Sequence, residues 1–461
     1  DMSSWLLMGL PGVAYLTGTA DAAWTAIGLA IGTYLNWLIV AKRLRRYSVV
    51  AGNAITIPQF FKNRYHDKSG ILAGLSAIFI VIFFIPYTAS GFAACGKLFS
   101  TLFGVPYFGA MLVSAIVIVA YTALGGFSAA STTDLIQSIV MSVALISVVL
   151  FGIKTLGGMD VIASQTASMQ GYLSLTSVYN EGTAVPYGSI KIASTLAWGL
   201  GYFGMPHVLL RFMAISDENK IKLSRRIATI WVVISMAVAV FIGIMGYTLS
   251  RQGYIDVLTG ADSEKVIITI ATLMSKSGVL GIVLAGLIMS GILACTMSTA
   301  DSQLLVASSS FSSDIYNTLF NKNASEKTLL NVSRITIVVV AIIACLLALD
   351  PNSSVFEIVA HAWAGFGAAF GPVILCSLFW KRCNEHGALA GVISGGAVAL
   401  LWAYVPTAIW GADNLPGIFT VYEIIPGFIV SLALIFIVSL ATKAPSKEVI
   451  EEFESVKTAD V

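Results

Sequence analysis

A turn rich in oxygen ligands lies near the end of a long apolar stretch. Residues 277–300 carry no charge and are long enough to cross a hydrocarbon core as a helix. Their last part brings the hydroxyls of Ser298 and Thr299 close to the carboxylate of Asp301. Polar groups are costly at that depth and normally face a bundle interior or a water-filled path. The leading hypothesis is a site for a hard monovalent cation; the alternative is that each hydroxyl bonds only to its own helix backbone.

Two other stretches interrupt apolar segments that would otherwise be helical. The first is DMSSWLLMGLP at residues 1–11, and the second is WGLGYFGMP at residues 198–206. Glycine and proline there expose backbone N–H and C=O groups, which a membrane tolerates only where they line a cavity within the protein. Interrupted segments in corresponding places of two halves indicate the midplane binding site of a secondary transporter.

The composition places these stretches in a membrane protein. Of the 461 residues, 57% are hydrophobic and 11% are charged, against about 25% charged in soluble proteins. Continuous apolar runs predict helices rather than barrel strands. We expect an all-α polytopic protein with one transmembrane domain at residues 1–442 and a short polar tail at 443–461. Twelve spans are predicted, at residues 1–17, 23–41, 70–103, 105–124, 135–156, 189–215, 227–249, 277–311, 328–349, 355–380, 387–405 and 422–442.

The positions of the two interruptions predict an inverted repeat. Each interruption opens a set of five spans, residues 1–156 and residues 189–380, and the remaining spans would flank this core. The sequence shows no obvious identity between the halves, so the symmetry is inferred from position alone. Because the chain opens inside an apolar segment without an initiator methionine, we also expect that part of the protein precedes it.

Orientation follows from the basic connections. Lysine and arginine crowd residues 42–68, 211–226, 322–334 and 381–382, and these connections alternate with loops poor in both. The positive-inside rule makes them cytoplasmic, together with the tail. We expect a multi-pass protein with a cytoplasmic C-terminus.

Several functions have no candidate site. The five cysteines show neither CxxC spacing nor paired loop positions, and no ATP-binding, serine-hydrolase or zinc-protease pattern occurs. We expect no enzyme activity, no cofactor and no nucleic-acid partner; the sequence leaves the oligomeric state open.

At the level of motifs the chain resembles the sodium:solute symporter family, especially its proline-transporting members. The resemblance covers essentially the whole chain and rests on residues 1–11, 198–204 with Pro206 and His207, 297–299, 362–372, and Arg382 with Gly387, Ala388 and Gly391. It implies an inverted five-plus-five helix core with discontinuous helices, and sodium bound between the first broken helix and the eighth helix of the core. It also implies thirteen spans, of which the first helix and the start of the second would precede residue 1. Carried over, the ion ligands are the backbone carbonyls of Met2 and Cys295 and the hydroxyls of Ser298 and Thr299.

The resemblance also implies a substrate site for L-proline. Helical spacing puts Trp198, Tyr202 and Pro206 on one face, and a zwitterion with an apolar ring needs a helix terminus for its carboxylate and aromatic faces for its amine. The alternative for these aromatic residues is ordinary packing. The implied site residues are Ser3, Ser4, Trp5, Tyr87, Trp198, Tyr202 and Pro206.

Three acids are assigned to coupling or to the ion path. Asp1 resembles an aspartate required for sodium coupling, or is a solvent-facing acid at a helix break. Asp134 matches an acid on the cytoplasmic side of the sodium path, and the alternative is a first-turn acid favoured by the helix dipole. Asp301 lies on roughly the same face as Ser298, where it lines the ion's exit or reaches the cytoplasmic interface.

The resemblance therefore implies a sodium-coupled symporter that imports L-proline by alternating access, with sodium as the coupling ion. Two alternatives stay open within transport: a symporter of the same family for another small solute, and a transporter-derived sensor with little turnover. An ion channel is disfavoured because the polar groups cluster around two interruptions rather than along a continuous pore.

Overall fold

The structure, a computed structural model, describes residues 3–180, 182–411 and 414–457, without the side chains of 126–130 and 319. Asp1 and Met2, two of the predicted site residues, therefore lie outside the described residues. Within them the chain forms α-helices α1 (Leu10–Thr17), α2 (Thr19–Leu35), α3 (Ala41–Val50), α4 (Ile57–Tyr65), α5 (Ile71–Phe103), α6 (Tyr107–Leu156), α7 (Met159–Ala167), α8 (Ser189–Leu196) and α9 (Pro206–Met213). The second half contributes α10 (Ile221–Arg251), α11 (Val266–Ser275), α12 (Val279–Ser309), α13 (Glu326–Leu347), α14 (Val355–Phe379), α15 (Glu385–Trp410), α16 (Ile424–Ala441) and α17 (Lys447–Ser455).

Shorter elements join these helices. The wider π-helical geometry occurs at Trp5–Gly9, Asn36–Val40 and Ser310–Phe320. The tighter 3₁₀ geometry occurs at Ala197–Phe203, Glu218–Lys220, Gly260–Lys265 and Gly417–Thr420. An antiparallel hairpin of β1 (Ser177–Asn180) and β2 (Thr183–Pro186) lies in a connection where the sequence indicated no strand.

The described residues contain ten helical segments long and apolar enough to span a membrane. These ten correspond to ten of the twelve predicted spans. The other two predictions, residues 1–17 and 189–215, fall on the two interrupted segments, where no single helix is long enough. The chain is thus a multi-pass, predominantly helical membrane protein.

The first interruption is a π turn that leads directly into α1. Leu10 N–H bonds to Trp5 O instead of the carbonyl one residue later, which widens the helix over Trp5–Gly9. Pro11 explains the change, because its ring clashes with the carbonyl four residues earlier and it donates no hydrogen bond. Ser3 begins the segment, and its carbonyl accepts from Leu6 N–H at 3.0 Å.

The second interruption separates α8 from α9. Its 3₁₀ segment leaves backbone carbonyls free, and side chains of other elements satisfy two of them: Trp363 Nε1 donates to Trp198 O at 2.8 Å, and Asn36 Nδ2 donates to Tyr202 O at 2.9 Å. Gly199 lets the segment approach α2, since a Cβ there would lie 2.3 Å from Gly28 O. Both interruptions are therefore supported by the surrounding protein.

Helix α6 differs from the prediction. The sequence indicated two spans with a connection before Leu135, whereas the structure is helical throughout 107–156 and contains two candidate spans, Tyr107–Gly125 and Ser131–Leu156. No proline occurs in residues 125–135, so every residue there can donate to a helical hydrogen bond. Asp134 consequently lies inside a helical run rather than at a helix start.

The tail forms a short helix that packs back on the transmembrane domain. In α17, Phe453 is 4% exposed, with the guanidinium groups of Arg43 and Arg64 at 4.9 Å and 5.1 Å from its ring centre. Glu452 bonds to His66 at 2.9 Å. The tail thus joins α3 to the end of α4.

Candidate functional site

Three buried oxygen atoms meet on α12. The hydroxyls of Ser298 and Thr299 donate to the same carbonyl, Cys295 O, at 3.4 Å and 3.2 Å. These are the intrahelical bonds that the sequence left as the alternative to an ion site. They also hold both hydroxyl oxygens beside one carbonyl oxygen. These three oxygens, here called the oxygen cluster, are a donor set suited to a small hard cation. All three residues are buried.

The first interrupted segment faces this turn. Cys295 Sγ donates to Ser3 O at 2.9 Å, a contact between residues 292 positions apart. The predicted ligand Met2 immediately precedes Ser3 and lies outside the described residues. The structure therefore places Ser3, the first described residue of this segment, against the hydroxyl-bearing turn; the ion ligands stay a prediction.

A small cavity of about 20 Å³, here called the central cavity, lies between the two interruptions. Ser3 and Trp5 line it from the first, and Trp198 and Tyr202 line it from the second. Tyr87 of α5 joins them. Five of the seven predicted substrate residues thus surround one space, which is much smaller than the roughly 300–1,000 Å³ typical of small-molecule sites and would have to widen to hold a solute.

Two predicted substrate residues lie elsewhere. Ser4 is fully buried, but it is not among the described residues that line the central cavity. Pro206 is also absent from that lining and begins α9, where its fixed φ and missing N–H suit the first helical position. Its position explains where the second interruption ends.

Sequence reasoning missed four residues of the central cavity. Trp363 packs edge-on against Tyr202 with ring centres 4.9 Å apart. Trp363 lies in the glycine-rich stretch 362–372, and a Cβ on Gly201 would overlap its ring, so the motif itself was the available signal. The other three are apolar and carry no signal in the sequence: Leu29, Met236 and Val359.

Asp134 belongs to a polar chain near a second cavity. Arg211 Nη2 donates to Asp134 Oδ2 at 2.7 Å and to Ser302 Oγ at 2.9 Å. Arg211 and Ser302 line a cavity of about 310 Å³ together with Thr56, which precedes α4. This cavity, here the basic-side cavity, lies near the basic connections. The structure joins Asp134 to α12 one turn beyond the oxygen cluster.

Asp301 is fully buried rather than at a membrane surface. Its Oδ2 accepts from Tyr121 Oη at 2.7 Å, and the same hydroxyl lies 2.9 Å from Met297 O. Among the described atoms, Asp301 Oδ1 has no hydrogen-bond partner. The carboxylate therefore lies at the contact between α6 and α12.

A buried ion pair supports the opposite side of the site. Lys97 Nζ lies 2.7 Å from Glu264 Oε2, with the two side chains 1% and 4% exposed. Glu264 also accepts from the backbone N–H groups of Val355 and Phe356 at 3.0 Å and 2.9 Å, which caps α14. A lysine inside the predicted span 70–103 was the sequence signal for this pair, because charges within spans are rarely unpaired.

A third cavity, the outer cavity, opens on the face away from the basic connections. Its volume is about 420 Å³, and Trp198 lines both it and the central cavity. The ring of Trp198 packs against Trp5 and Phe356, each with ring centres 5.3 Å away. Aromatic side chains thus separate the central cavity from the outer one.

Comparison with known proteins identifies the family. The sequence profile described as the sodium:solute symporter family matches residues 1–395. The chain belongs to the sodium:solute symporter family. One similar protein is a high-affinity proline transporter of Bacillus subtilis, which is 42% identical over 453 residues (98% of this chain, 90% of the relative). Another is sodium/proline symporter 2 of Staphylococcus saprophyticus, which is 38% identical over 460 residues (99% of this chain, 86% of the relative).

Solved structures of other transporters share the fold. A Na⁺-coupled sialic acid symporter in a substrate-bound outward-open state matches with a TM-score of 0.74 at 18% identity, over 97% of this chain and 88% of that one. A nucleobase-cation-symport-1 family transporter matches with a TM-score of 0.54 at 13% identity, over 99% and 93%. The predicted class, an inverted five-plus-five core with discontinuous helices, is confirmed; the repeat boundaries stay predictions.

Proposed function

We propose that the protein is a sodium-coupled symporter that imports L-proline by alternating access. One observation carries the proposal: the bond from Cys295 Sγ to Ser3 O joins the oxygen cluster on α12 to a wall of the central cavity. An ion and a solute bound at these two places would share the first interrupted segment. The names of the relatives, proline transporters at about 40% identity, supply the substrate.

Sodium would bind between the carbonyl of Cys295, the hydroxyls of Ser298 and Thr299, and the carbonyl of Met2. The first two groups already lie together, and the segment that contains Met2 approaches them at Ser3. Binding of the ion would order this segment and thereby complete the wall of the central cavity. Because coupling is reciprocal, proline must then tighten sodium binding by the same factor.

Proline would occupy the central cavity. Its carboxylate would meet N–H groups left free by the interruptions, and its secondary ammonium would face the rings of Trp198 and Tyr202 or the phenol oxygen of Tyr87. The apolar ring would pack on the aliphatic and aromatic walls.

Alternating access requires a route on each side. The outer cavity and the basic-side cavity approach the central cavity from opposite faces, and we propose that they open in turn. We place the basic connections and α17 on the cytoplasmic side of a bacterial inner membrane. Import of each sodium ion then gains about 2.3 kcal/mol per 100 mV of membrane potential. Asp134 and Arg211 would lie beside the path by which the ion leaves its site toward the cytoplasm.

Uptake into vesicles tests the function. Purified protein in lipid vesicles should accumulate labelled proline when an inward sodium gradient is imposed, and the recovered proline should be chemically unchanged. An equal potassium gradient is the control. Uptake that ignores sodium would contradict the coupling, and uptake that excess unlabelled proline does not suppress would favour another solute. Tight proline binding without accumulation would favour a sensor.

A further inference from the structure

The outer wall of the site includes a residue from outside the five-plus-five core. Tyr422 lies in the connection between α15 and α16, and its ring stacks on that of Trp198 with centres 5.3 Å apart and planes 26° apart. Tyr422 lines the outer cavity, whereas Trp198 lines both the outer and the central cavity. The Tyr422 ring therefore covers the face of Trp198 that is directed away from the site.

Two hydrogen bonds hold Tyr422 in place. Its hydroxyl donates to Ala360 O at 2.6 Å, and its backbone N–H donates to Ser194 Oγ at 2.7 Å. Ala360 belongs to α14 and Ser194 to α8, so the residue ties together both sides of the outer cavity. The ring can leave Trp198 only if these bonds break or if α8 and α14 move together.

The next residue adds an ion pair. His361 Nδ1 lies 2.6 Å from Glu423 Oε1, and the Glu423 side chain is 9% exposed. His361 follows Ala360 on α14, so the pair fixes the same connection to the same helix. Trp402 Nε1 also donates to Val421 O at 3.0 Å, which fixes the residue on the other side of Tyr422.

We propose that Tyr422 is a gate residue, which closes the outer side of the central cavity by holding Trp198, and that His361 and Glu423 are its positioning pair. The inference rests on the proposed function, since a gate has a role only in a transporter. It gives the flanking helices α15 and α16 a part in the cycle. Opening toward the outer cavity requires Trp198 to lose the Tyr422 ring.

Chemical labelling of a buried cysteine measures this opening directly. Val359 lines the central cavity and is 2% exposed, so a Val359→Cys reporter reacts with a membrane-impermeant thiol reagent added outside only when the outer wall opens. The reporter is placed in otherwise natural protein in oriented vesicles without sodium or proline. Labelling of protein without the reporter is subtracted as the background of the natural cysteines.

Removal of the ring should expose the reporter. Tyr422→Ala should raise its labelling rate about fivefold, which is the scale expected from loss of one aromatic pair. Tyr422→Phe keeps the ring but loses the bond to Ala360 O, so the rate should rise by less. Tyr254→Ala is the matched control: Tyr254 is an exposed tyrosine outside the outer cavity, and its loss should leave the rate unchanged.

The ion pair is tested by a double-mutant cycle. Glu423→Gln and His361→Gln should each raise the labelling rate, and the double variant should show no larger rise than either single variant, because one contact is lost in all three. Additive effects would remove the pair from the gate. If Tyr422→Ala does not fold, Tyr422→Phe and Glu423→Gln decide the question.

The gate and the proposed function can be refuted by separate measurements. Labelling at the parent rate in folded Tyr422→Ala and Glu423→Gln proteins would overturn the gate, whatever the natural protein transports. Absence of sodium-driven proline uptake by the natural protein would overturn the proposed function, even where the labelling results agree with a gate.

Discussion

At the scale of single residues, Cys295 has two separable roles. Its carbonyl accepts hydrogen bonds from the hydroxyls of Ser298 and Thr299, while its thiol donates to Ser3 O. The proposed ion ligand is the backbone carbonyl of Cys295. Every substitution at this position retains that carbonyl unless it breaks the helix. The side chain contributes only a weak S–H donor.

Substitution of the oxygen ligands should therefore affect the sodium dependence of uptake more than substitution of the thiol. Ser298→Ala and Thr299→Ala should each raise the sodium concentration for half-maximal proline uptake about tenfold or more, because a polar contact to a charged group is worth about 1.5–3 kcal/mol. Cys295→Ala should raise it by less than about threefold, as a weak sulfur donor is lost.

Ser290→Ala is the control on the same helix, because Ser290 is exposed and its hydroxyl, among the described residues, bonds only to Gly286 O. A sodium dependence unchanged in both hydroxyl variants, measured over a wide concentration range, would remove the ion from this turn. An effect of Cys295→Ala as large as that of Ser298→Ala would assign the coupling to the thiol contact.

At the scale of elements, the second interruption depends on close backbone approach. A Cβ at Gly199 would lie 2.3 Å from Gly28 O, and one at Gly204 would lie 2.3 Å from Phe366 O. The neighbouring atoms are backbone, so they cannot rotate away as a flexible side chain would. The glycines are required where the 3₁₀ segment packs between α2 and α14.

Gly199→Ala should therefore destabilise the protein. Overpacking costs about 1–3 kcal/mol in well-packed cores, and a rigid neighbour places this site at the upper end. Thermal unfolding of the detergent-solubilised protein measures the change. Gly286→Ala is the control, because a Cβ there meets nothing within 4 Å; an unchanged midpoint for Gly199→Ala would show that the segment can shift away from α2.

At the scale of the whole molecule, the tail helix connects elements that are far apart in sequence. Phe453 packs beside Arg43 of α3 and Arg64 of α4, and Arg46 Nη1 donates to Lys457 O at 3.0 Å. A helix of nine residues is marginal in water by itself. Its order therefore depends on this burial.

Phe453→Ala should release the tail. Loss of a buried phenylalanine costs about 3–5 kcal/mol, which is more than the remaining contacts of a short helix supply. Limited trypsin digestion should then remove the tail faster, while the transmembrane domain stays intact. Phe320→Ala, at an exposed phenylalanine, is the control. Equal digestion rates would show that the ion pairs of α17 suffice to hold it.

The sequence by itself determined the membrane class, because apolar length is sufficient to predict a span. It also located both interruptions, since Pro11 and the glycines near Trp198 disfavour regular helix wherever they occur. Asp134 shows where this reasoning stops: a first-turn position was one alternative, yet it lies inside a helical run and pairs with Arg211, 77 residues away.

Only the tertiary structure decided which side chains share a space. It brought Ser3, Tyr87 and Tyr202 around one cavity, excluded Ser4 and Pro206 from the described lining, and added Val359 and Trp363. The physical reason is that membership in a cavity depends on the packing of distant helices, whereas periodicity reports only the faces of one helix. The contact of Tyr422 with Trp198 likewise has no trace in local sequence, because a connection between flanking helices supplies it.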